Sequence, residues 1–240
     1  MKTIDDLKVK IFADGALKNE MLDMHQKTFI KGLTTNPTLM NKAGIKDYRA
    51  FCKDILTVIK DKPLSFEVFS DDFSEMERQA LEIASWGDNV YVKIPITNTK
   101  GESTAKVVEQ LLKDGIPVNL TAVFTLRQIQ ELPFLLKGDI APLIISVFAG
   151  RLADIGQDAE SVVGDFVRFK SQLSENCRIL WASPREVFNV IQDSRCGCDI
   201  ITLTPEFIKK MLNFGKDPEL FSLETVKMFA TDAVQSGYSF

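Results

Sequence analysis

The sequence has one histidine, His25, in 240 residues, and that scarcity excludes more chemistry than any other count. His25 lies in NEMLDMHQK, a polar helix-like stretch with no cysteine or acidic pair at metal-ligand spacing, and it reads as a helix-surface imidazole. Serine-histidine-acid catalysis, cysteine-histidine catalysis and imidazole-rich zinc or iron sites are set aside with it. Cysteine is also sparse: Cys52, Cys177, Cys196 and Cys198 form neither a zinc ribbon nor a CxxC pair, and read as reduced structural residues. A basic excess is missing, with 29 Lys and Arg against 33 Asp and Glu and a net charge of −4, so no nucleic-acid partner is expected. Long apolar runs are missing too. The longest, around Ala141 to Gly150, is about half a membrane span, and MKTIDDLKVKIF lacks the apolar core of a secretion signal. A cytoplasmic protein with no membrane partner is therefore expected. FADGALKNE is neither GxGxxG nor a Walker loop, and no linker or composition break interrupts the chain, so residues 1–240 are expected to form one domain.

What the chain does contain is a repeated pattern of short apolar runs. They are VKIFAD (9–14), FIKGLTT (29–35), LSFEVFS (64–70), NVYVKIP (89–95), PVNLT (117–121), APLIIS (141–146), RILWAS (178–183) and DIITLT (199–204). Between them lie stretches of helical period, such as DDFSEMERQALEIASW, where Phe73, Met76, Ala80, Leu81 and Ile83 recur at three-to-four spacing. Eight buried strands alternating with amphipathic helices predict a single-domain (β/α)8 TIM barrel, with a doubly wound open sheet as competitor. The tail from about residue 217 to 240 carries Leu220, Leu223, Val226 and Phe229 at helical spacing. It predicts an additional C-terminal helix that either seals the barrel or packs on another subunit.

In such a barrel the chemistry projects from the C-terminal ends of the strands. Polar residues interrupt those ends repeatedly: Asp14, then Thr34 and Asn36, Glu67, Lys93, Asn119 and Thr121, Ser146, and Ser183. Lys93 is the sharpest, because alternation sets it and Tyr91 on the face opposite Val90, Val92 and Ile94. On an interior face, desolvation favours the neutral amine, a nucleophile toward carbonyls. A structural ion pair with Asp14 or Glu67 is the other reading of the same lysine. The two carboxylates are correspondingly either counter-ions or proton-transfer groups. Arg151 and Arg185 follow strands six and seven, and Ser183-Pro184-Arg185 reads as N-cap, N1 proline and first-turn arginine of a helix, a place for a phosphate.

Seven segments, IFADGA, KGLTTNPTLM, SFEVFS, YVKIP, NLTAVF, SVFAGRLADIG and WASPRE, resemble in order the transaldolases and the related fructose-6-phosphate aldolases. The resemblance spans nearly the whole chain and implies a class I aldolase with no metal and no cofactor. It implies Lys93 as the Schiff-base lysine, Asp14 as acid/base for the C4 hydroxyl, and Glu67 with Thr121 as holders of the catalytic water. Thr34, Asn36, Asn119 and Ser146 match contacts to a dihydroxyacetone moiety, and Arg151, Ser183 and Arg185 match a phosphate clamp, so sugar phosphates are the implied substrates. Glu67 and Phe148 resemble the transaldolase branch, where the aldolases carry Gln and Tyr; the implied activity is transfer, with aldol cleavage, or transfer from a modified, for example sulfonated, ketose, as the alternative. A homo-oligomer held through the C-terminal helix is implied as well.

Overall fold

The computed structural model describes residues 7–136 and 138–237. Eight parallel strands close into a barrel in chain order: β1 (Lys10–Asp14), β2 (Ile30–Thr34), β3 (Leu64–Glu67), β4 (Val90–Pro95), β5 (Val118–Val123), β6 (Leu143–Val147), β7 (Cys177–Trp181) and β8 (Ile200–Leu203). This is the (β/α)8 architecture the sequence predicts. Helices follow every strand, although β5 is followed only by two four-residue helices, Leu126–Ile129 and Leu132–Leu135.

The strands read as continuous apolar runs because both of their faces are buried. Outward residues such as Val92, Ile94, Leu120, Ile145 and Trp181 are fully covered by the helical ring. Burial of each such side chain contributes about 1.5–3 kcal/mol, so this outer layer is the main source of stability. Inward residues divide into two zones. Phe12, Ile144, Leu180, Ala182 and Ile200, with Tyr91 beside them, form a separate apolar plug inside the barrel, and the layer above it is polar. Gly32 makes room for that plug: a Cβ there would lie 2.5 Å from the Phe12 ring. The register slip between Ile11 and Phe12 where β1 pairs with β2 falls at the same level.

Helix starts follow local chemistry. Asp47, Asp72, Asp158 and Asp217 each accept hydrogen bonds from first-turn amides, and prolines 37, 205 and 218 occupy first-turn positions. The CGC pair belongs to a helix end, with Gly197 at φ 77° terminating Asn189–Cys196, and all four cysteines are free. His25 sits on the helix Lys18–Gln26, its Nε2 2.7 Å from Asp61 Oδ1. The tail forms a helix, Pro218–Ser236, that buries none of its residues; Phe229 is 62% and Val234 82% exposed. It does not seal the barrel. Residues 238–240 of the expected tail span lie outside the described residues. No helix among the described residues is long and apolar enough to cross a membrane.

Candidate active site

The polar residues at the strand ends converge on one cavity of about 670 Å3 at the C-terminal mouth of the barrel. Asp14, Thr34, Asn36, Glu67, Lys93, Asn119, Thr121, Ser146, Phe148, Arg151, Ser183 and Arg185 all line it, so the strand-end residues and arginines expected to form a site reach the same place.

Lys93 points into the barrel as alternation requires and is 7% exposed. Its Nζ lies 3.2 Å from Glu67 Oε2 and donates to the Thr35 carbonyl at 2.8 Å. The pairing is fixed by the sheet, because Glu67 and Lys93 are register partners across β3 and β4. Glu67 is held by its backbone as well: the Tyr48 hydroxyl accepts from its N–H at 2.8 Å and donates to its carbonyl at 3.0 Å. The ammonium thus has a single carboxylate partner and one open side toward the cavity.

Asp14 ends β1, and its Oδ1 accepts from Thr34 Oγ1 at 2.8 Å. Thr34 Oγ1 is 2.7 Å from Thr202 Oγ1; since the Thr34 proton goes to Asp14, Thr202 is the donor to Thr34. Burial pushes the Asp14 carboxyl above the usual carboxylate range, against the opposing pull of the Lys93 charge and the Thr34 hydrogen bond. A carboxyl so placed exchanges protons nearer neutrality, which suits proton transfer.

On the opposite wall, Ser146 Oγ donates to Asn119 Oδ1 at 2.6 Å and Asn119 Nδ2 donates to Ser65 Oγ at 3.0 Å. These bonds fix the amide and leave the serine oxygen facing the cavity. Thr121 Oγ1, also on β5, is buried with no hydrogen-bond partner. An orphaned hydroxyl in a polar cavity is a place for a bound water. Asn36 spends its side-chain oxygen on the helix start Pro37–Lys42, accepting from Leu39 N at 2.9 Å, so only its amide NH2 is available to a ligand.

The third wall is a cationic corner. Arg185 Nη1 donates to Ser183 O and Ser183 Oγ, both at 2.9 Å, and its Nε donates to Asp154 Oδ1 at 2.8 Å. The Arg151 guanidinium lies 5.9 Å from the Phe148 ring centroid, and Phe148 packs at 5.7 Å against Phe124. The expected helix cap at Ser183 is not there. The helix starts at Asn189, and Ser183 instead sits in a turn at φ 60°, packed so closely on Gly150 that a Cβ at position 150 would meet its carbonyl at 1.6 Å. Tertiary contact thus overrides the local Ser-Pro capping signal. Ala122 and Ser183 are the non-glycine residues at positive φ among the described residues, and both line the cavity.

Sequence reasoning missed several contributors. Thr202 continues the inward face of β8 from Ile200, so its polar character in DIITLT was a usable signal. Ser65, Lys42 and the carboxylate of Asp154 also belong to the site or its support, as does Tyr48, whose bond to Glu67 bridges 19 positions and leaves no local mark.

Comparison with known proteins gives the family and the fold. A probable transaldolase of Nitrosopumilus maritimus is 36% identical over 227 residues, covering 90% of this chain and 97% of its own. One of Thermoanaerobacter sp. is 34% identical over 204 residues, covering 85% and 89%. Among solved structures, KGPDC of Streptococcus mutans superposes with a TM-score of 0.56 at 10% identity, covering 86% of this chain and 95% of its own. A dihydrodipicolinate synthase of Rhodopseudomonas palustris gives 0.57 at 13%, covering 98% and 82%. At such identities the likeness concerns the barrel alone. The family model described as transaldolase/fructose-6-phosphate aldolase matches residues 11–238, and the chain belongs to that family.

Proposed function

We propose that the protein is a transaldolase that moves a dihydroxyacetone unit from a ketose phosphate, fructose 6-phosphate or sedoheptulose 7-phosphate, to an aldose phosphate through a Schiff base on Lys93. The observation that carries this reading is Lys93 inside the barrel, 3.2 Å from Glu67, in one cavity with the buried Asp14 carboxyl and the cationic corner.

Glu67 takes the ammonium proton across that contact, and the freed Nζ attacks the C2 carbonyl of the ketose. Loss of water from the carbinolamine gives the iminium, with the water held between Glu67 and the orphaned Thr121 hydroxyl. Asp14 removes the C4 hydroxyl proton, the C3–C4 bond breaks, and its electron pair enters the iminium as an enamine. The aldose phosphate leaves. Phe148 offers no hydroxyl to protonate C3, so the enamine waits for an acceptor aldehyde. Its C3 then attacks that carbonyl, Asp14 returns its proton to the new alkoxide, and water releases the product from Lys93. Thr34, Asn36, Asn119 and Ser146 orient the dihydroxyacetone hydroxyls, and Arg151, Ser183 and Arg185 hold the phosphate.

Borohydride reduction in the presence of fructose 6-phosphate, followed by peptide mass mapping, should place the adduct on Lys93. An adduct elsewhere, or none, sinks the mechanism. Release of glyceraldehyde 3-phosphate without acceptor, at a rate matching transfer, would instead support free aldol cleavage and remove the role given to Phe148. A panel of ketose donors that includes sulfonated ones fixes the substrate.

Two further features belong to this reading. The exposed apolar helix Pro218–Ser236 supports a homo-oligomer in which it lies on a neighbouring copy. The four free thiols support a reducing, cytoplasmic setting.

A further inference from the structure

The opposite, N-terminal mouth of the barrel holds a second cavity, of about 430 Å3. Lys10 of β1, Lys31 of β2 and Arg178 of β7 line it together with the Tyr91 ring and Asn176, and no carboxylate does. Phe12, Ile144 and Ile200, the underside of the apolar plug, separate it from the catalytic layer. All three cations come from within strands whose neighbours are buried, and β1 and β2 pair with a register shift between Ile11 and Phe12, level with Lys31.

These charges are not neutralised within the described residues. Lys31 Nζ donates to the Thr28 carbonyl at 2.8 Å, and Arg178 Nη1 donates to the carbonyls of Glu175 and Cys177 at 2.6 and 2.7 Å. Both are thus steered by neutral backbone acceptors. Asp199, next to Ile200 at the same rim, has both oxygens on Lys170 at 2.7 Å. Among the described residues, Lys10, Lys31 and Arg178 have no salt bridge, and Tyr91 Oη makes no hydrogen bond. The phenol is held protonated by burial and so is available as a donor.

Like charges gathered in one concavity repel, and a fold whose net charge is −4 has no general reason to collect them there. Stability alone is better served by the apolar or paired residues that usually fill this end of a barrel. We infer that the N-terminal mouth is a second ligand site, separate from the active site, that takes a small phosphorylated anion with its phosphate among Lys10, Lys31 and Arg178 and Tyr91 Oη as an additional donor. A planar guanidinium beside two ammonium groups suits a dianionic phosphate, and the cavity is of small-metabolite size.

The test is calorimetric titration of the full chain with inorganic pyrophosphate at constant ionic strength. Three proteins are compared: the parent, the Lys31→Gln/Arg178→Gln double variant and the Arg185→Gln variant. The inference expects a saturable event that survives Arg185→Gln and weakens about tenfold or more in the double variant. Tyr91→Phe, which removes only a hydroxyl, should weaken it severalfold and serves should the double variant fail to fold. Binding that disappears in Arg185→Gln and persists in the double variant assigns all the anion affinity to the active-site corner and overturns the inference. So does the absence of saturable binding in the parent, or an equal response to sodium chloride. Failure of transaldolase activity leaves this result untouched, since the two mouths share no cation.

Discussion

The two mouths of this barrel are both polar, yet they are polar in different ways. At the base of the C-terminal mouth the charged and polar groups are buried or half-buried and mostly tied to one another: Lys93 to Glu67, Asp14 to Thr34 to Thr202, and Ser146 to Asn119 to Ser65. At the N-terminal mouth Lys10, Lys31 and Arg178 reach into solvent, and the bonds of Lys31 and Arg178 go to backbone carbonyls. Buried groups in a low-dielectric network are positioned before the substrate arrives and lose much when one member is removed. Solvated cations are screened, and the fold loses little when one is removed. The difference predicts a steep gradient of mutational sensitivity from one end of the barrel to the other.

The steepest loss belongs to Lys93→Ala. With no amine to form the imine, transfer should fall by on the order of 10^4-fold or more, read in a coupled assay for the released aldose phosphate. Retention of more than about a hundredth of the activity would break the comparison at its strongest point. Asp14→Asn comes next, with kcat reduced about 10^2- to 10^4-fold. This variant also carries a stability signature whose sign follows from burial. Because the folded-state pKa of Asp14 is raised, its contribution to stability is fully present below the unfolded-state value, about 3.9, and is lost as pH rises through the folded value. Asparagine does not titrate. The melting temperature of Asp14→Asn relative to the parent should therefore climb from acid toward neutral pH, and a difference that stays flat across that window refutes the desolvated carboxyl. In the parent, the rising limb of activity with pH should lie above the ordinary carboxylate range.

Arg185→Gln removes a cation held by Asp154 and Ser183 at the rim, where exposure is greater and one charge among two is lost. A rise in KM of roughly 10- to 100-fold with kcat little changed is expected, from the usual worth of a charged hydrogen bond. A fall in kcat at constant KM would mean that the corner acts on the reacting atoms and not on the phosphate.

How far the site was legible follows the same gradient. Lys93 could be found because a charge between Val92 and Ile94 in a strand conflicts with burial, and alternation alone set its face. The barrel could be found because strands covered on both sides read as apolar runs. Ser183 was misread because Ser-Pro-Arg satisfies every local rule for a helix start, while its actual turn is dictated by Gly150 in the helix Ala149–Asp154 after β6. The tail forms the helix that its period predicts, and only its placement was not legible. Leu220, Leu223, Val226 and Phe229 keep a helical period, but Phe221 and Met228 place apolar surface off that stripe, and the helix finds no cover among the described residues. The lower cations carry no comparable mark, because Lys10, Lys31 and Arg178 interrupt the strands near their beginnings, away from the C-terminal ends where a barrel holds its chemistry.

Thr202→Val gives the smallest effect and tests the gradient most finely. The substitution keeps shape and burial and removes the donor that holds the Thr34 hydroxyl toward Asp14. Thr34 can then rotate, and Asp14 loses part of the bond that opposes its desolvation, so its carboxyl should move further above the ordinary range. The expected cost is about 1 kcal/mol, a fall in kcat of about fivefold, with the rising limb of the pH profile displaced to higher pH and KM unchanged. Thr202→Ser, which restores the hydroxyl, should recover both. A role limited to packing predicts the reverse ranking, since valine fills the site and serine leaves a methyl-sized void. The order of these two variants, with the direction of the pH shift, therefore decides whether the relay from β8 tunes the base or merely fills the barrel.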